Sequence, residues 1–335
     1  MSQPMNMPDP GPVMQMMTAF WASGTFRGAV DLDLFTHVSH GADTVEKLAV
    51  ATRATPRGIR AIADALVALG FLTKDAGRYA NTPVAATWAC SDKPTFLAGF
   101  SKFLNDSRFT EAFGRVAEAA REGKSVFDKD AESPENPLWV TFAQSSLPMA
   151  LGGAMPLPDI LQSRRPGLRI LDVAAGSGGY GITLAQASTG SKLTFLDWAN
   201  VAAVSKRHAD LLGVGDRASI LPGSALDVDW GGPYDVVVMG NFFHHFDMPT
   251  CVSIAGKAKK ALAPGGVFAT AEFVADEERK AASMPLLFSV AMLLWSTGGA
   301  AYTFSELSKI LRDGGFAEVT HHAMGDNPSS WVVAR

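Results

Sequence analysis

A glycine-rich segment and an acidic residue further along the chain are the first residues whose spacing suggests chemistry. Gly176, Gly178 and Gly181 follow one apolar run, and Asp197 ends the next. Glycine lets the backbone turn tightly and approach a ligand that a Cβ would exclude. An acid at the end of the second strand, about 20 residues on, can accept hydrogen bonds from both hydroxyls of a ribose. The spacing therefore predicts a nucleotide-cofactor site.

The nature of the cofactor is indicated by Asp172, which stands just before the glycines. In dinucleotide-binding proteins the helix after the glycine turn faces a pyrophosphate. A carboxylate here would repel a pyrophosphate but suits the ammonium group of S-adenosylmethionine (SAM). An alternative is that Asp172 only caps the turn and the glycines only shape it. The pattern favours SAM over NAD and leaves a dehydrogenase as the most distant alternative.

Two adjacent histidines, His244 and His245, follow the apolar run 236–239. Histidine titrates near neutral pH and is the usual general base, so His244 can take a proton from a substrate hydroxyl. Glu272 ends the next predicted strand and can fix the tautomer of that histidine. An alternative is that one histidine caps the next helix, the other hydrogen-bonds the backbone, and Glu272 caps a helix or loop. Because adjacent strand residues point to opposite faces, we expect no metal ion between the histidines.

Strands and helices alternate from residue 169 onward and must position these residues. This alternation predicts an α/β, Rossmann-like domain whose seven-stranded, mainly parallel sheet has helices on both faces. Ligands of such sheets bind beyond the carboxyl ends of the strands. Strands are predicted at 169–173, 193–196, 218–221, 234–239 and 266–273, and closing strands near 317–322 and 330–334.

The N-terminal part predicts three helices followed by a hairpin, which is the winged-helix pattern. Pro56 opens a helix in which Ile59, Ile62 and Leu66 recur at helical spacing. A winged helix can bind DNA. The balanced charge around this one instead indicates that its surface is exposed to solvent or contacts another subunit. The predicted divisions are a winged-helix domain (13–95), a helical linker expected to contribute to the substrate pocket (96–162) and an α/β domain with the predicted SAM site (163–335).

Composition narrows the class of protein. The chain has 335 residues, 47% of them hydrophobic, and a net charge of −4, so we expect a globular protein that binds no nucleic acid. Its two cysteines, Cys90 and Cys251, have no metal-ligand spacing and indicate a reducing compartment. The first residues lack signal-peptide features and no apolar run is long enough to span a membrane, so we expect a cytoplasmic location.

The chain resembles the small-molecule O-methyltransferases of plants and bacteria, which join a winged-helix dimerisation domain to a class I SAM methyltransferase domain. The resemblance runs from about residue 13 to the end. It rests on the segment 172–179 (Asp-Val-Ala-Ala-Gly-Ser-Gly-Gly), on Asp197 as the ribose-binding acid and on the turn 262–266 (Leu-Ala-Pro-Gly-Gly). It implies SAM as methyl donor, S-adenosylhomocysteine (SAH) as product and a homodimer.

The family's catalytic base lies in a His-Asp-Trp motif, which corresponds here to His244, His245 and Phe246. The resemblance therefore implies His244 as the base, and Glu272 matches an acidic residue that flanks it. A second acid of plant members is replaced by Ala301. The residues expected to hold SAM are Asp172, Gly176, Gly178, Asp197, Trp198, Ser224, Ala225 and Asn241, with Trp198 and Ser224 at the adenine.

An aromatic and methionine-rich set of residues is expected to form the acceptor pocket. Such a lining suits a flat, apolar phenol, quinol, polyketide or tetrapyrrole. An alternative is that most of these side chains belong to the core. The set is Phe142, Met149, Phe243, His245, Phe288, Met292 and Trp295.

The sequence thus predicts a SAM-dependent methyltransferase that methylates a hydroxyl of a small aromatic or polyketide-like acceptor. One alternative is a C-methyltransferase acting on an aromatic or tetrapyrrole ring. Another, of a different class, is a winged-helix DNA-binding regulator with a SAM-type sensor domain.

Overall fold

The chain forms two compact units, Met1–Asp106 and Ser107–Arg335. The computed structural model describes residues 7–127, 136–281, 283–325 and 327–335. The three-part division at 13–95, 96–162 and 163–335 stays a prediction.

The N-terminal unit is helical apart from one hairpin, as the sequence predicted. Two of its helices begin at threonine caps: Thr44 Oγ1 accepts a hydrogen bond from the Lys47 N–H, and Thr55 Oγ1 accepts one from the Gly58 N–H. The elements are α1 (Gly11–Asp31), α2 (Leu34–Ser39), α3 (Val45–Thr52), α4 (Pro56–Ala68), β1 (Leu72–Asp75), β2 (Arg78–Asn81), α5 (Pro83–Trp88) and α6 (Ser101–Leu104).

The second unit places short helices ahead of a regular alternation of strands and helices. The short helices are α7 (Ser107–Phe113), α8 (Val116–Glu122), α9 (Pro137–Ser145), α10 (Leu147–Ala154) and α11 (Leu157–Ile160). The alternating elements are β3 (Arg169–Val173), α12 (Gly179–Ala187), β4 (Lys192–Asp197), α13 (Ala199–Leu211), β5 (Ala218–Pro222), β6 (Tyr234–Gly240), α14 (Met248–Ala261), β7 (Leu262–Glu272), α15 (Ser283–Trp295), α16 (Phe304–Asp313), β8 (Val319–Ala323) and β9 (Ser330–Ala334).

These strands form one seven-stranded sheet in the order β5-β4-β3-β6-β7-β9-β8. The five strands β3, β4, β5, β6 and β7 pair in parallel, whereas β9 pairs antiparallel with both β7 and β8. The predicted mainly parallel sheet is confirmed. The strand order reverses between β3 and β6, which is the point where such sheets bind ligands beyond their carboxyl ends.

The central strands are buried on both faces. Leu171 and Val237 belong to a core with α14 and α16, whereas Ile170 and Val236 belong to a core with α12. Successive strand residues point to opposite faces, so an uninterrupted apolar run is what a doubly covered strand requires. None of the helices in the described ranges is both long enough and apolar enough to cross a membrane.

Candidate active site

The turn between β3 and α12 carries the glycine-rich segment. Gly176 and Gly178 have φ values of 54° and 77°, a left-handed conformation that residues with a Cβ rarely adopt. A Cβ on Gly178 would also lie 2.9 Å from Phe195 Cε1 and 3.0 Å from Ser205 Cβ. Backbone conformation and close packing against β4 and α13 therefore both require glycine at position 178.

Asp197, at the end of β4, is tied to this turn. Its Oδ2 accepts a hydrogen bond from the Gly176 N–H at 2.9 Å, and its Oδ1 accepts one from the Trp198 N–H at 2.7 Å. On the other side of the turn, Ser205 Oγ donates to the Gly176 carbonyl at 2.9 Å. Burial raises the pKa of Asp197 to about 6. The turn and the acid are thus held as one unit.

Two buried oxygens at the carboxyl ends of the neighbouring strands β3 and β6 have no hydrogen-bond partner within the described residues. One is Asp172 Oδ1, whose companion Oδ2 accepts from the Gly181 N–H at 2.9 Å. The other is Asn241 Oδ1, whose companion Nδ2 donates to Tyr180 Oη at 3.2 Å. Burial raises the pKa of Asp172 well above its usual range. Unpartnered buried acceptors cost about 1–3 kcal/mol each, so the site favours a ligand that donates hydrogen bonds.

His244 lies in the 3₁₀ turn Phe243–His245 that follows β6. Its Nδ1 is 2.7 Å from Glu272 Oε2, and both side chains are buried. Glu272 Oε1 accepts hydrogen bonds from the Phe242 and Phe243 N–H groups at 3.0 and 2.8 Å. A carboxylate beside Nδ1 favours the tautomer with the proton on that nitrogen and leaves Nε2 as an acceptor. Nε2 has no hydrogen-bond partner in the part of the chain that the structure describes.

His245 lies beside this base. Its ring centroid is 4.5 Å from that of His244 and 5.8 Å from that of Trp139. Burial lowers the pKa of His245 well below its usual range, and His244 lowers it further. His245 is therefore neutral at neutral pH. Within the described ranges, no group of three or more His, Cys, Asp or Glu side chains is arranged to hold a metal ion.

A second set of aromatic rings lies close to His244. The His244 ring centroid is 4.7 Å from that of Phe288, and the Phe288 centroid is 6.4 Å from that of Trp295. The Trp295 ring in turn lies 4.4 Å from Phe109. We call this set the aromatic cluster, and it consists of Phe109, Phe127, Phe273, Phe288 and Trp295. It forms a continuous apolar wall that begins at the histidine.

Two family models match this chain. The O-methyltransferase dimerisation domain matches residues 14–91, and a methyltransferase domain matches residues 171–268. A Nostoc punctiforme protein assigned as an O-methyltransferase is 32% identical, with 98% of this chain and 99% of that protein covered and a TM-score of 0.90. The chain belongs to the class I SAM-dependent O-methyltransferases. The family predicted from the sequence is confirmed.

Other relatives match this methyltransferase over nearly their whole length. The tetracenomycin polyketide synthesis 8-O-methyl transferase of Streptomyces glaucescens is 27% identical over 97% of this chain and 96% of its own length. Human N-acetylserotonin methyltransferase, solved in complex with SAM, is 19% identical and superposes with a TM-score of 0.86 over 99% of each chain. The similarity to the human protein is a similarity of fold.

The methyltransferase uses SAM as its methyl donor, and the described site fits this molecule. The unpartnered oxygens of Asp172 and Asn241 suit the ammonium group, which only donates hydrogen bonds. Asp197 suits the ribose hydroxyls, and the glycine turn leaves open the space that a side chain would occupy. A pyrophosphate would face two carboxyl groups here, which argues against the dehydrogenase alternative.

Two predicted cofactor residues already have contacts within the protein. Ser224 Oγ accepts a hydrogen bond from the Leu226 N–H at 3.2 Å. The Ala225 side chain is buried in the core, and its carbonyl accepts from Trp230 Nε1 and Lys257 Nζ, each at 2.9 Å. Their contacts with the adenine stay predictions.

Trp198 and Phe142 lie close to the glycine turn. The Trp198 ring centroid is 6.2 Å from that of Trp139, which stands on α9. Phe142, on the same helix, has its Cε1 3.3 Å from the position that a Cβ on Gly176 would take. Helix α9 therefore carries an aromatic face that covers the predicted cofactor site.

The remaining predicted pocket residues divide into two groups. Phe288 and Trp295 belong to the aromatic cluster, and Met149 is partly exposed on α10. Phe243 and Met292 are fully buried. The Phe243 ring packs in the sheet core, 6.1 Å from Phe268, and its predicted place in the acceptor pocket stays a prediction.

Sequence reasoning missed three residues of this site. Tyr180 belongs to no recognisable motif, but it lies inside the glycine-rich segment. That position was a signal for its role beside Asn241. Trp139 and Phe109 lie on short helices far ahead of the sheet. No local pattern connects them to His245 or Trp295, and only the tertiary fold brings them together.

Proposed function

We propose that this methyltransferase methylates a hydroxyl of a small aromatic or polyketide-like acceptor, with His244 as general base and Glu272 as the residue that positions it. The carrying observation is the 2.7 Å contact between His244 Nδ1 and Glu272 Oε2, which leaves Nε2 available for a proton. A 26% identical relative from Streptomyces sahachiroi is a 3-hydroxy-5-methyl-1-naphthoate 3-O-methyltransferase, which supports this acceptor class. The aromatic cluster provides a matching apolar surface beside the base.

When bound, SAM supplies a methyl group activated by its sulfonium sulfur. His244 Nε2 accepts the proton of the acceptor hydroxyl as the oxygen bonds to the methyl carbon and the carbon–sulfur bond breaks. The products are a methyl ether, SAH and a protonated imidazole. Glu272 stabilises the positive charge on that imidazole. A general base of this kind contributes about 10²- to 10⁴-fold to the rate.

The N-terminal unit supports a homodimer. The first half of α1 exposes large apolar side chains, including Met16, Met17, Phe20 and Trp21, each with more than half of its surface in solvent. Contiguous exposed apolar surface of this kind marks a protein–protein contact. Because the dimerisation-domain model covers residues 14–91, the inferred partner is a second copy of this chain.

The test is methylation of a panel of phenols, quinols and hydroxylated polycyclic ketones with SAM, followed by product mass and NMR. A gain of one methyl as an ether is expected. His244→Ala should lower turnover by at least about 10²-fold while leaving SAH affinity within about twofold, since the base does not hold the cofactor.

His40→Ala is the matched control, because His40 lies exposed in the N-terminal unit. Turnover of His244→Ala within about twofold of wild type would refute the base assignment. A new carbon–carbon bond in the product would instead support the C-methyltransferase alternative.

A further inference from the structure

Trp295 carries a buried hydrogen-bond donor that the protein does not use. Its Nε1 has no hydrogen-bond partner among the residues that the structure describes. The other buried indoles are paired: Trp230 Nε1 donates to the Ala225 carbonyl and Trp331 Nε1 donates to the Gly153 carbonyl, both at 2.9 Å. Buried indole N–H groups usually find an acceptor, and leaving one unpaired is destabilising. Trp295 Nε1 is therefore left needing an acceptor that none of the described residues supplies.

Three aromatic rings lie close to this donor. The rings of Phe109, Phe127 and Phe288 lie 4.4, 6.4 and 6.4 Å from that of Trp295. The nearby Leu294 carbonyl already accepts hydrogen bonds from Ser125 Oγ and the Val126 N–H. No neighbour in this part of the described chain competes for the indole N–H.

The donor also stands in a defined relation to the base. The Phe288 ring centroid lies 4.7 Å from that of His244 and 6.4 Å from that of Trp295. His244 therefore offers a proton acceptor, Phe288 an apolar ring next to it, and Trp295 a hydrogen-bond donor next to Phe288. A flat molecule with two oxygens on opposite parts of its ring system is complementary to that order.

We propose that the indole N–H of Trp295 donates a hydrogen bond to a ring carbonyl of the acceptor, so that the enzyme selects phenols that also carry a quinone or aryl-ketone oxygen. A carbonyl oxygen only accepts hydrogen bonds and thus matches a group that only donates. This inference rests on the proposed function, because it assigns the second oxygen of the same acceptor. Trp295 acts as a specificity-determining residue, while His244 acts on the reacting hydroxyl.

The experiment compares 2-hydroxyanthraquinone with 2-hydroxyanthracene, which share a carbon skeleton and a hydroxyl position but differ in the ring carbonyls. Trp295→Phe keeps an aromatic ring and removes the N–H. For 2-hydroxyanthraquinone, kcat/KM should fall roughly five- to tenfold, mainly through KM, whereas for 2-hydroxyanthracene it should stay within about twofold. Trp88→Phe, a change of a partly exposed tryptophan in α5, is the matched control and should affect neither acceptor.

Binding separates failure of this inference from failure of the proposed function. Dissociation constants of both compounds are measured by calorimetry with SAH present, for wild type and Trp295→Phe, so turnover is not needed. A selective loss of 2-hydroxyanthraquinone binding supports the inference even if no methylation occurs. Equal losses for both compounds, no loss for either, or no wild-type preference for the carbonyl compound would each overturn it. If Trp295→Phe fails to fold, benzothienylalanine at position 295 keeps the indole shape and replaces the N–H with sulfur.

Discussion

Glu272 illustrates how one buried carboxylate can organise a catalytic turn. One oxygen contacts His244 Nδ1, and the other accepts two hydrogen bonds from the backbone of residues 242 and 243. A buried carboxylate is costly unless it is paired and hydrogen-bonded, and this one satisfies both requirements. The same bonds that stabilise Glu272 therefore fix the backbone of the turn and the orientation of the imidazole.

Asp197 predicts a pH dependence of cofactor binding. Because burial raises its pKa to about 6, the carboxyl of the SAM-free protein is protonated as the pH falls through that value. A protonated carboxyl accepts hydrogen bonds from the ribose less well. The affinity for SAH, measured by calorimetry, should be constant above about pH 7 and should weaken below about pH 6, approaching tenfold per pH unit.

Asp197→Asn supplies the control, because it cannot titrate. It should bind SAH more weakly than wild type at neutral pH and show a shallower decline at low pH, since Asp172, whose pKa burial also raises, still titrates. Folding stability depends on pH in the opposite direction to SAH binding. Because the pKa of Asp197 in the folded protein lies above the ordinary value of 3.8, its contribution to stability falls as the pH rises from about 4 to about 6. Wild-type affinity that stays constant down to about pH 5 would contradict this account.

The segment after α15 predicts a backbone contribution to turnover. A Cβ on Gly299 would lie 2.6 Å from Ser296 Oγ and 2.8 Å from the His245 carbonyl carbon, and closer still to the His244 carbonyl oxygen. Gly299→Ala must therefore displace the histidine turn. Turnover should fall at least about tenfold, because small misplacements of a catalytic group are costly, while SAH affinity stays within about twofold.

Gly256→Ala is the matched control for this change. A Cβ at Gly256, inside α14, would meet nothing within 4 Å. It should raise the free energy of unfolding by about 0.5–1 kcal/mol, because alanine loses less conformational entropy in a helix, and leave turnover unchanged. Full turnover in Gly299→Ala would show that the histidine turn tolerates the shift.

The element pattern was predictable from sequence where each signal was local. The start of α16 (Phe304–Asp313) is an example, because Thr303 and Glu306 form a capping box that can be read from their spacing in the sequence. Strand β7 was predicted to begin at residue 266, after the Pro-Gly-Gly turn, but it begins at Leu262. A register shift between Tyr234 and Val236 accommodates the extra residues, and a shift of this kind depends on the partner strand.

The candidate site was also predictable only where the sequence signal was local. Asp197 and Glu272 end strands and His244 lies in the turn after one, so a parallel sheet brings them to one edge. The aromatic cluster unites α7 with α15, and periodicity gives the buried face of each helix without naming the helix opposite. The turn geometry that sends Phe243 into the core is likewise set by Glu272, which lies on another strand.

At the scale of the whole molecule, the described site residues all lie in the unit Ser107–Arg335, while the exposed apolar surface of α1 lies in the other unit. The inferred dimer can therefore be tested independently of the methyltransferase activity. Met17→Glu combined with Phe20→Glu places two charges on that surface, and burying an unpaired charge is costly. Light scattering after size exclusion should give the mass of a dimer for wild type and of a monomer for the variant.

Leu211→Glu separates a specific contact from a general effect of added charge. Leu211 is 81% exposed on α13, in the methyltransferase unit, and its replacement should leave the dimer intact. Thermal unfolding of each variant establishes that α1 still folds, which is expected because Met17 and Phe20 contribute little to the core, being 64% and 68% exposed. A dimer that persists in the doubly charged variant would assign association to another surface. A monomeric wild type would mean that the apolar face of α1 serves a different partner.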